Sequence, residues 1–143
     1  MRYFMVFLLV MLFVFSGCEE TAKALSTTIS GTVTTEDGEP VQGALILVME
    51  YDPTNFLSII SGASLESVSI SLADGRYTVV EVEPGDYMVF AVKDNGNLSV
   101  DLTEDEIYFY GTSFLGIPNP SVVTVENKHD DVTDIVINKK LMP

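Results

Sequence analysis

This sequence predicts an all-β fold, an antiparallel sandwich of about seven or eight short strands. Three observations predict it. After residue 28, apolar and polar residues alternate in short runs with almost no helical period. Turn signals separate these runs, at first every eight to twelve residues. With the first 28 residues set apart, the 143-residue chain keeps about the length one such sandwich needs.

The first run, ISGTVT, puts Ile29, Gly31 and Val33 on one face and Ser30, Thr32 and Thr34 on the other. EDGEP follows, with Asp37-Gly38 as a tight-turn signal because glycine accepts positive φ. ALILVMEY, residues 44–51, is a continuously apolar strand. SVSISL alternates and predicts Val68, Ile70 and Leu72 facing inward. ADGRY turns the chain into YTVVEV, and EPGDY turns it again into YMVFAV, residues 87–92. Gly75 and Gly85 are expected at these turns, and Pro84 presets φ ahead of the second. Tyr77 and Tyr87 follow directly, placed so that their rings cap the core while their hydroxyls reach backbone. IYFY (107–110), SVVTV (121–125) and VTDIVIN (132–138) complete the set.

Two of these strands are apolar on both faces. Leu45, Leu47 and Met49 alternate with Ala44, Ile46 and Val48, and Tyr87, Val89 and Ala91 with Met88, Phe90 and Val92. A sandwich strand normally buries one face, and a large bare apolar patch is rare on a monomer. The insert DPTNFLSIISGAS, with Phe56, Leu57, Ile59 and Ile60, is therefore expected to fold back over the outer face. The rival cover is a partner protein.

Charge excludes one class of partner. With 7 basic and 21 acidic side chains the formal net charge is −14, a field that repels phosphate backbones, so no nucleic acid is expected. The acids are spread through the chain, as on a solvated surface. One cysteine allows neither an intrachain disulfide nor a cysteine zinc cluster, and one histidine, His129, allows no two-histidine metal site.

That cysteine says where the protein lives. MRYFMVFLLVMLFVFSGC opens with Arg2 and continues with about 13 unbroken apolar residues, Tyr3 to Phe15. A bilayer-spanning helix needs roughly 20. A basic start, an apolar core of this length and the small residues Ser16 and Gly17 make a secretory signal peptide, residues 1–17. FSGC further resembles the lipobox of bacterial lipoproteins, with Phe15 where that family usually has leucine. The resemblance implies acylation of the Cys18 sulfur, cleavage just before it, and a permanent tether, since stable anchoring takes more than one chain. Residues 18–28 then form the lipidated cysteine and a short linker, and residues 29–141 the sandwich. Removing residues 1–17 takes away Arg2 and no acid, so the mature part gains nothing from an anionic membrane surface. Glu19 stands where some bacteria use aspartate to retain lipoproteins at the inner membrane, so the outer membrane is the expected location.

The domain itself resembles the carboxypeptidase regulatory-like module. The likeness rests on an ordered set: Gly31 to Val33, Asp37-Gly38, Pro40-Val41, Gly43-Ala44, Asp74 to Tyr77 and Pro84 to Tyr87. It runs strongly to about residue 93 and more weakly to 141, where VTDIVINKKL matches the closing strand. The resemblance implies a Greek-key, prealbumin-like (transthyretin-like) sandwich that serves as an accessory without catalytic residues or cofactor. Related pilin-type adhesin domains join first and last strands by a Lys–Asn isopeptide. Asn138 lies in the last strand here, but ISGTVT has no lysine, so no isopeptide is expected.

No catalytic residue is expected from the chemistry either. His129 lies in a polar stretch, NKHDD, and no serine sits in a nucleophile elbow. KDNGN (93–97) and DLTEDE (101–106) gather the hard oxygens calcium prefers, but at no EF-hand spacing; turn chemistry accounts for them, and no metal is expected. Tyr108, Tyr110 and Phe114 are the candidate ligand-binding residues, as a sugar-stacking surface. The leading function is a non-catalytic, lipid-anchored envelope module that binds another protein; the alternative is a carbohydrate-binding accessory lipoprotein.

Overall fold

The computed structural model describes residues 27–61, 69–96, 100–127, 129 and 131–141, with the side chains of residues 59 and 61 excepted. The signal peptide, Cys18 and the linker up to residue 26 lie outside the described residues, as does Val68. The fold is an all-β sandwich. The strands are β1 (Thr28–Val33), β2 (Leu45–Glu50), β3 (Ser69–Ile70), β4 (Arg76–Val80), β5 (Gly85–Lys93), β6 (Glu106–Phe109), β7 (Gly111–Phe114), β8 (Ile117–Pro120), β9 (Val123–Val125), β10 (Asp131–Ile137) and β11 (Lys139–Lys140). The strands beyond the expected set are β7, β8 and the two-residue β11.

One layer has the order β10-β1-β4, and the other β11-β6-β5-β2-β3 with β9 also on β5. The chain changes layer after β1, β3, β4, β9 and β10, as a Greek-key path requires. β5 is the hub. It pairs antiparallel with β2 from Leu45↔Val92 to Glu50↔Tyr87, with β6 from Phe90↔Phe109 to Lys93↔Glu106, and with β9 from Gly85↔Val125 to Tyr87↔Val123. One pair departs from the antiparallel expectation: β1 and β10, the first and last long strands, run parallel.

The turns follow the glycine chemistry at two positions. Gly38 has φ +89° and Gly75 φ +79°. A side chain at 75 would also overlap the carbonyl of Val33, so that turn needs glycine twice over. Gly85 differs from expectation. It is the first residue of β5 and has no positive φ; Glu81, at φ +60°, makes the left-handed step of that connection instead.

Both faces of β5 and β2 are covered. Ala44, Ile46, Val89 and Ala91 point between the layers, where they meet Ile29, Val33, Tyr77, Tyr108, Ile135 and Ile137. Leu47, Met88, Phe90 and Val92 point the other way and form a second core with Phe56, Ile60, Val100, Ile107, Phe109 and Leu141. The insert closes this outer core through a short helix, α1 (Phe56–Ser61), where no helix was expected. Phe56 and Ile60, four residues apart and so on one helix face, are buried, while Leu57 is exposed. Phe56 stacks on Phe90 with ring centres 6.1 Å apart, and Phe90 lies 6.5 Å from Phe109. A six-residue helix has no stability of its own in water, so this packing holds it. Its entry is fixed by Asp52, whose carboxylate accepts the Thr54 N–H at 3.1 Å and the Thr54 hydroxyl at 2.7 Å.

The β3 segment reverses its expected faces. Ile70 and Leu72 are exposed, and Ser71 is buried. Hydrogen bonding sets this register. The Ser71 hydroxyl accepts the Ala44 N–H at 2.9 Å and donates to the Val41 carbonyl at 2.7 Å, closing two backbone groups where β2 begins. A slip of one residue would bury Ile70 and Leu72 but strip both groups of their partner.

A bulge shapes β10. Ile29 pairs with Val132, but Gly31 pairs with Ile135, so Ser30 faces two residues, Thr133 and Asp134. Asp134 takes φ +63°, and the bulged backbone presses onto β1 so closely that any Cβ at 31 would overlap the Ile135 carbonyl oxygen. Tyr77, opposite Gly31 on β4, lays its buried ring over this gap and donates its hydroxyl to the Ile135 carbonyl at 3.2 Å. Burial pushes the Tyr77 phenol well above its ordinary pKa.

Two outcomes are expected in denaturant titration. Phe56→Ala empties the middle of the outer core and lowers stability by about 3 kcal/mol; no loss would mean that α1 is not a structural lid. Gly31→Ala, a change that ordinarily favours β structure, lowers stability by roughly 3 kcal/mol or more because the backbone contact cannot yield.

Candidate functional site

The β6 and β9 strands act as two halves of one edge. Both pair with β5, and between them the chain leaves the sheet, runs out along β7, returns along β8 and re-enters. The exit is pinned on both sides: Tyr110 N–H donates to the Val89 carbonyl at 3.1 Å, and Ser121 N–H to the Tyr110 carbonyl at 2.9 Å. At the base, a side chain on Gly111 would overlap the Asn119 carbonyl, so the two legs touch backbone to backbone. The hairpin GTSFLGIPNP carries no charge, in a chain of net charge −14.

Its tip is apolar and open. Phe114 and Ile117 are a cross-strand pair, and Leu115-Gly116 forms the two-residue turn. Phe114, Leu115 and Ile117 are 73, 85 and 67 % exposed. Leu115 and Gly116 have φ +50° and +76°, the left-handed pair of a type I′ turn. Asparagine suits the first of these positions and leucine does not. The chain therefore accepts both strain and water contact to keep a leucine there. Pro118 and Pro120 face Ser113 and Gly111, one and three pairs away from the closing Phe114↔Ile117 pair in the alternating ladder, so their missing N–H groups fall on the outer edge of β8. That edge cannot accept an added strand in full, which leaves the tip as the open part of the hairpin.

A second apolar feature lies on the outer face of the β10-β1-β4 layer. A groove of about 780 Å³ runs over Gly31 and Tyr77, between Ile70 and Leu72 on one side and Val136 on the other. Ile70 and Leu72 are 55 and 59 % exposed. Ser30, Thr32 and Thr78 supply hydroxyls along it, and Arg76 and Asp134 are its two charged members. The Arg76 backbone N–H, followed by its guanidinium 2.6 Å away, holds the Asp74 carboxyl below its ordinary value.

The three expected ligand-binding aromatics do not form one open face. Tyr108 is buried between the layers, and its hydroxyl donates to Glu106 at 3.2 Å. Burial, with the Glu106 charge, raises its pKa. Tyr110 is half-buried against the same core, and Phe114 is exposed at the hairpin tip. A sugar ring has no access to Tyr108. Leu115, Ile117 and the groove residues were not anticipated; the uncharged run SFLGIP, apolar around a glycine, is the one signal that pointed to the tip.

The acidic loops spend their oxygens locally. Asp105 accepts the N–H groups of Asn95 at 3.0 Å and Asp101 at 2.8 Å, and Asp101 accepts the hydroxyl and N–H of Thr103 at 2.7 and 2.8 Å. The Thr103 hydroxyl, then its N–H, hold the Asp101 carboxyl below its ordinary value. Among the described residues no group of three His, Cys, Asp or Glu side chains could hold a metal ion. His129 is exposed and lies outside the groove.

No family model matches the chain, and no curated protein matches it. Two solved structures align with 80 % of it. One is a streptococcal ancillary pilin, at TM-score 0.43 and 13 % identity, with 33 % of the pilin covered. The other is BcpA, the major pilin subunit of Bacillus cereus, at TM-score 0.42 and 16 % identity, with 30 % covered. The chain thus spans about a third of either subunit, and a superposition this loose fixes no function.

If Leu115 is held for contact and not for folding, Leu115→Asn relieves the turn. Hydrogen exchange of the hairpin amides then slows by about fivefold, for roughly 1 kcal/mol of released strain. Faster exchange would show that the leucine serves the fold.

Proposed function

We propose that this chain is a non-catalytic module of a bacterial cell envelope, anchored by lipid on Cys18 and working through contacts with protein surfaces. The observation that carries the contact role is the hairpin tip, where three apolar side chains stand in water on a strained turn. Large exposed side chains of this kind mark interaction sites when they cluster. The non-catalytic reading is supported by the spent carboxylates of the acidic loops, by the exposed His129, and by the resemblance to an accessory module.

The anchor is supported by the sequence: a short apolar leader, small residues at its end and the sole cysteine directly after them. From Cys18 to Thr28 the linker spans at most about 35 Å when extended, so the sandwich stays close to the membrane that holds the lipid. Its acidity keeps it from lying flat on anionic headgroups. Glu19 supports the outer membrane as the location.

Metabolic labelling with palmitate tests the anchor. Label is expected in the wild-type protein and absent from Cys18→Ser, which moves to the soluble fraction. An unlabelled wild type removes the lipid and leaves the contact role to be judged on the hairpin.

A further inference from the structure

We propose that Asn95 is a site of self-modification: it deamidates onto Gly96, and the carboxylate that results loosens the two acidic loops that its amide now ties together. This goes beyond the envelope reading and rests on neither the lipid nor the hairpin. Strand β5 ends at Lys93, and Asn95 and Gly96 lie exposed just past it. The Gly96 N–H enters no strand ladder; it donates to the Asp94 carboxylate at 3.0 Å. Gly96 has φ +102° and open space where a Cβ would stand, so no side chain shields its nitrogen. The Asn95 side chain is held from the other end, its amide donating to Glu104 at 2.8 Å. No other asparagine of the chain precedes a glycine. Asn119 is followed by a proline, whose nitrogen carries no hydrogen, and the rest by Phe, Leu or Lys, whose side chains crowd the following nitrogen.

The chemistry needs only water. The Gly96 nitrogen bonds to Asn95 Cγ as its proton passes to a base, and the Asp94 carboxylate already accepts that N–H. The bond from Cγ to Nδ2 breaks, and the side-chain nitrogen leaves as ammonia. The cyclic imide then takes up a water molecule. Opening at Cγ gives aspartate; opening at the backbone carbonyl gives isoaspartate, whose main chain runs through the former side chain. No electron is transferred. The surroundings give the change its effect. Asp105 bridges the two loops, accepting the Asn95 N–H at 3.0 Å and the Asp101 N–H at 2.8 Å, and the Asn95 amide on Glu104 is the second tie. Deamidation turns that donor into a carboxylate, which can only accept, and sets it against Glu104 in a chain of net charge −14. Isoaspartate also adds a methylene to the backbone and shifts the N–H that Asp105 receives. Val100 and Leu102, on either side of Asp101, pack into the outer core beside Ile107 and Leu141, so a loosened loop reaches that core.

Peptide mapping of the full chain, held folded in neutral buffer, tests it. Aspartate and isoaspartate are expected to accumulate at position 95 ahead of every other asparagine. Gly96→Ala, whose methyl group crowds the attacking nitrogen, is expected to slow the reaction by about tenfold or more. The effect on the loops is read by hydrogen exchange in two variants. Asn95→Asp is one of the products made directly, and Asn95→Ala removes the donor without adding charge. The amides at 95 and 101 are expected to exchange about threefold faster in Asn95→Asp than in Asn95→Ala. An Asn95 that stays intact in the folded chain while the urea-unfolded chain converts overturns the proposal, since the fold then protects the amide. Equal exchange in the two variants also overturns it, because the new carboxylate then loosens nothing.

Discussion

The middle of strand β5 has no side that water can touch. Five consecutive residues, Met88 to Val92, are fully buried, alternating between two cores. This one constraint dictates much of the rest. The inner face needs a second layer, which β10-β1-β4 supplies. The outer face needs a lid, and a chain with little helical pattern bends a six-residue helix into that place. The helix exists because Phe90 must be covered, and Phe56 covers it. Both edges of β5 are also occupied, by β2 on one side and by β6 and β9 on the other.

The second constraint sits in the facing layer, where three residues depend on one another. The bulge in β10 brings the Ile135 backbone onto β1, glycine at 31 is the only residue that leaves room, and Tyr77, opposite Gly31 on β4, donates its hydroxyl to the same Ile135 carbonyl. Bulges twist and disrupt an edge strand, and β10 is the edge of its layer. Gly31, Tyr77 and Asp134 also line the groove on the outer surface, with Ile70 and Leu72 on its far side.

The two candidate contact features arise where the chain departs from local preference. At the tip a leucine takes the place an asparagine would favour, and in the β3 segment a serine takes the buried place while its apolar neighbours face out. Neither departure is forced by the amphipathic pattern. The serine is held by the Val41 carbonyl and the Ala44 N–H. For the leucine, the described residues provide no packing partner, and it stands 85 % exposed on the turn.

From the sequence alone the all-β class, most strands, the two-sided burial of β2 and β5, the lid, and the backbone-seeking hydroxyls of Tyr77 and Tyr87 could be read; the latter reach Ile135 and Glu83. These follow from period-two alternation, from glycine's freedom at turns and from the need to cover apolar surface, all of which are local or additive. Tertiary structure decided the remainder. The outward turn of Ile70 and Leu72, the interior place of Tyr108, the parallel match of β1 with β10 and the requirement for glycine at 31 each depend on a partner distant in sequence. A buried backbone group takes whichever distant partner satisfies it, and alternation along one strand does not say which face that partner lies on.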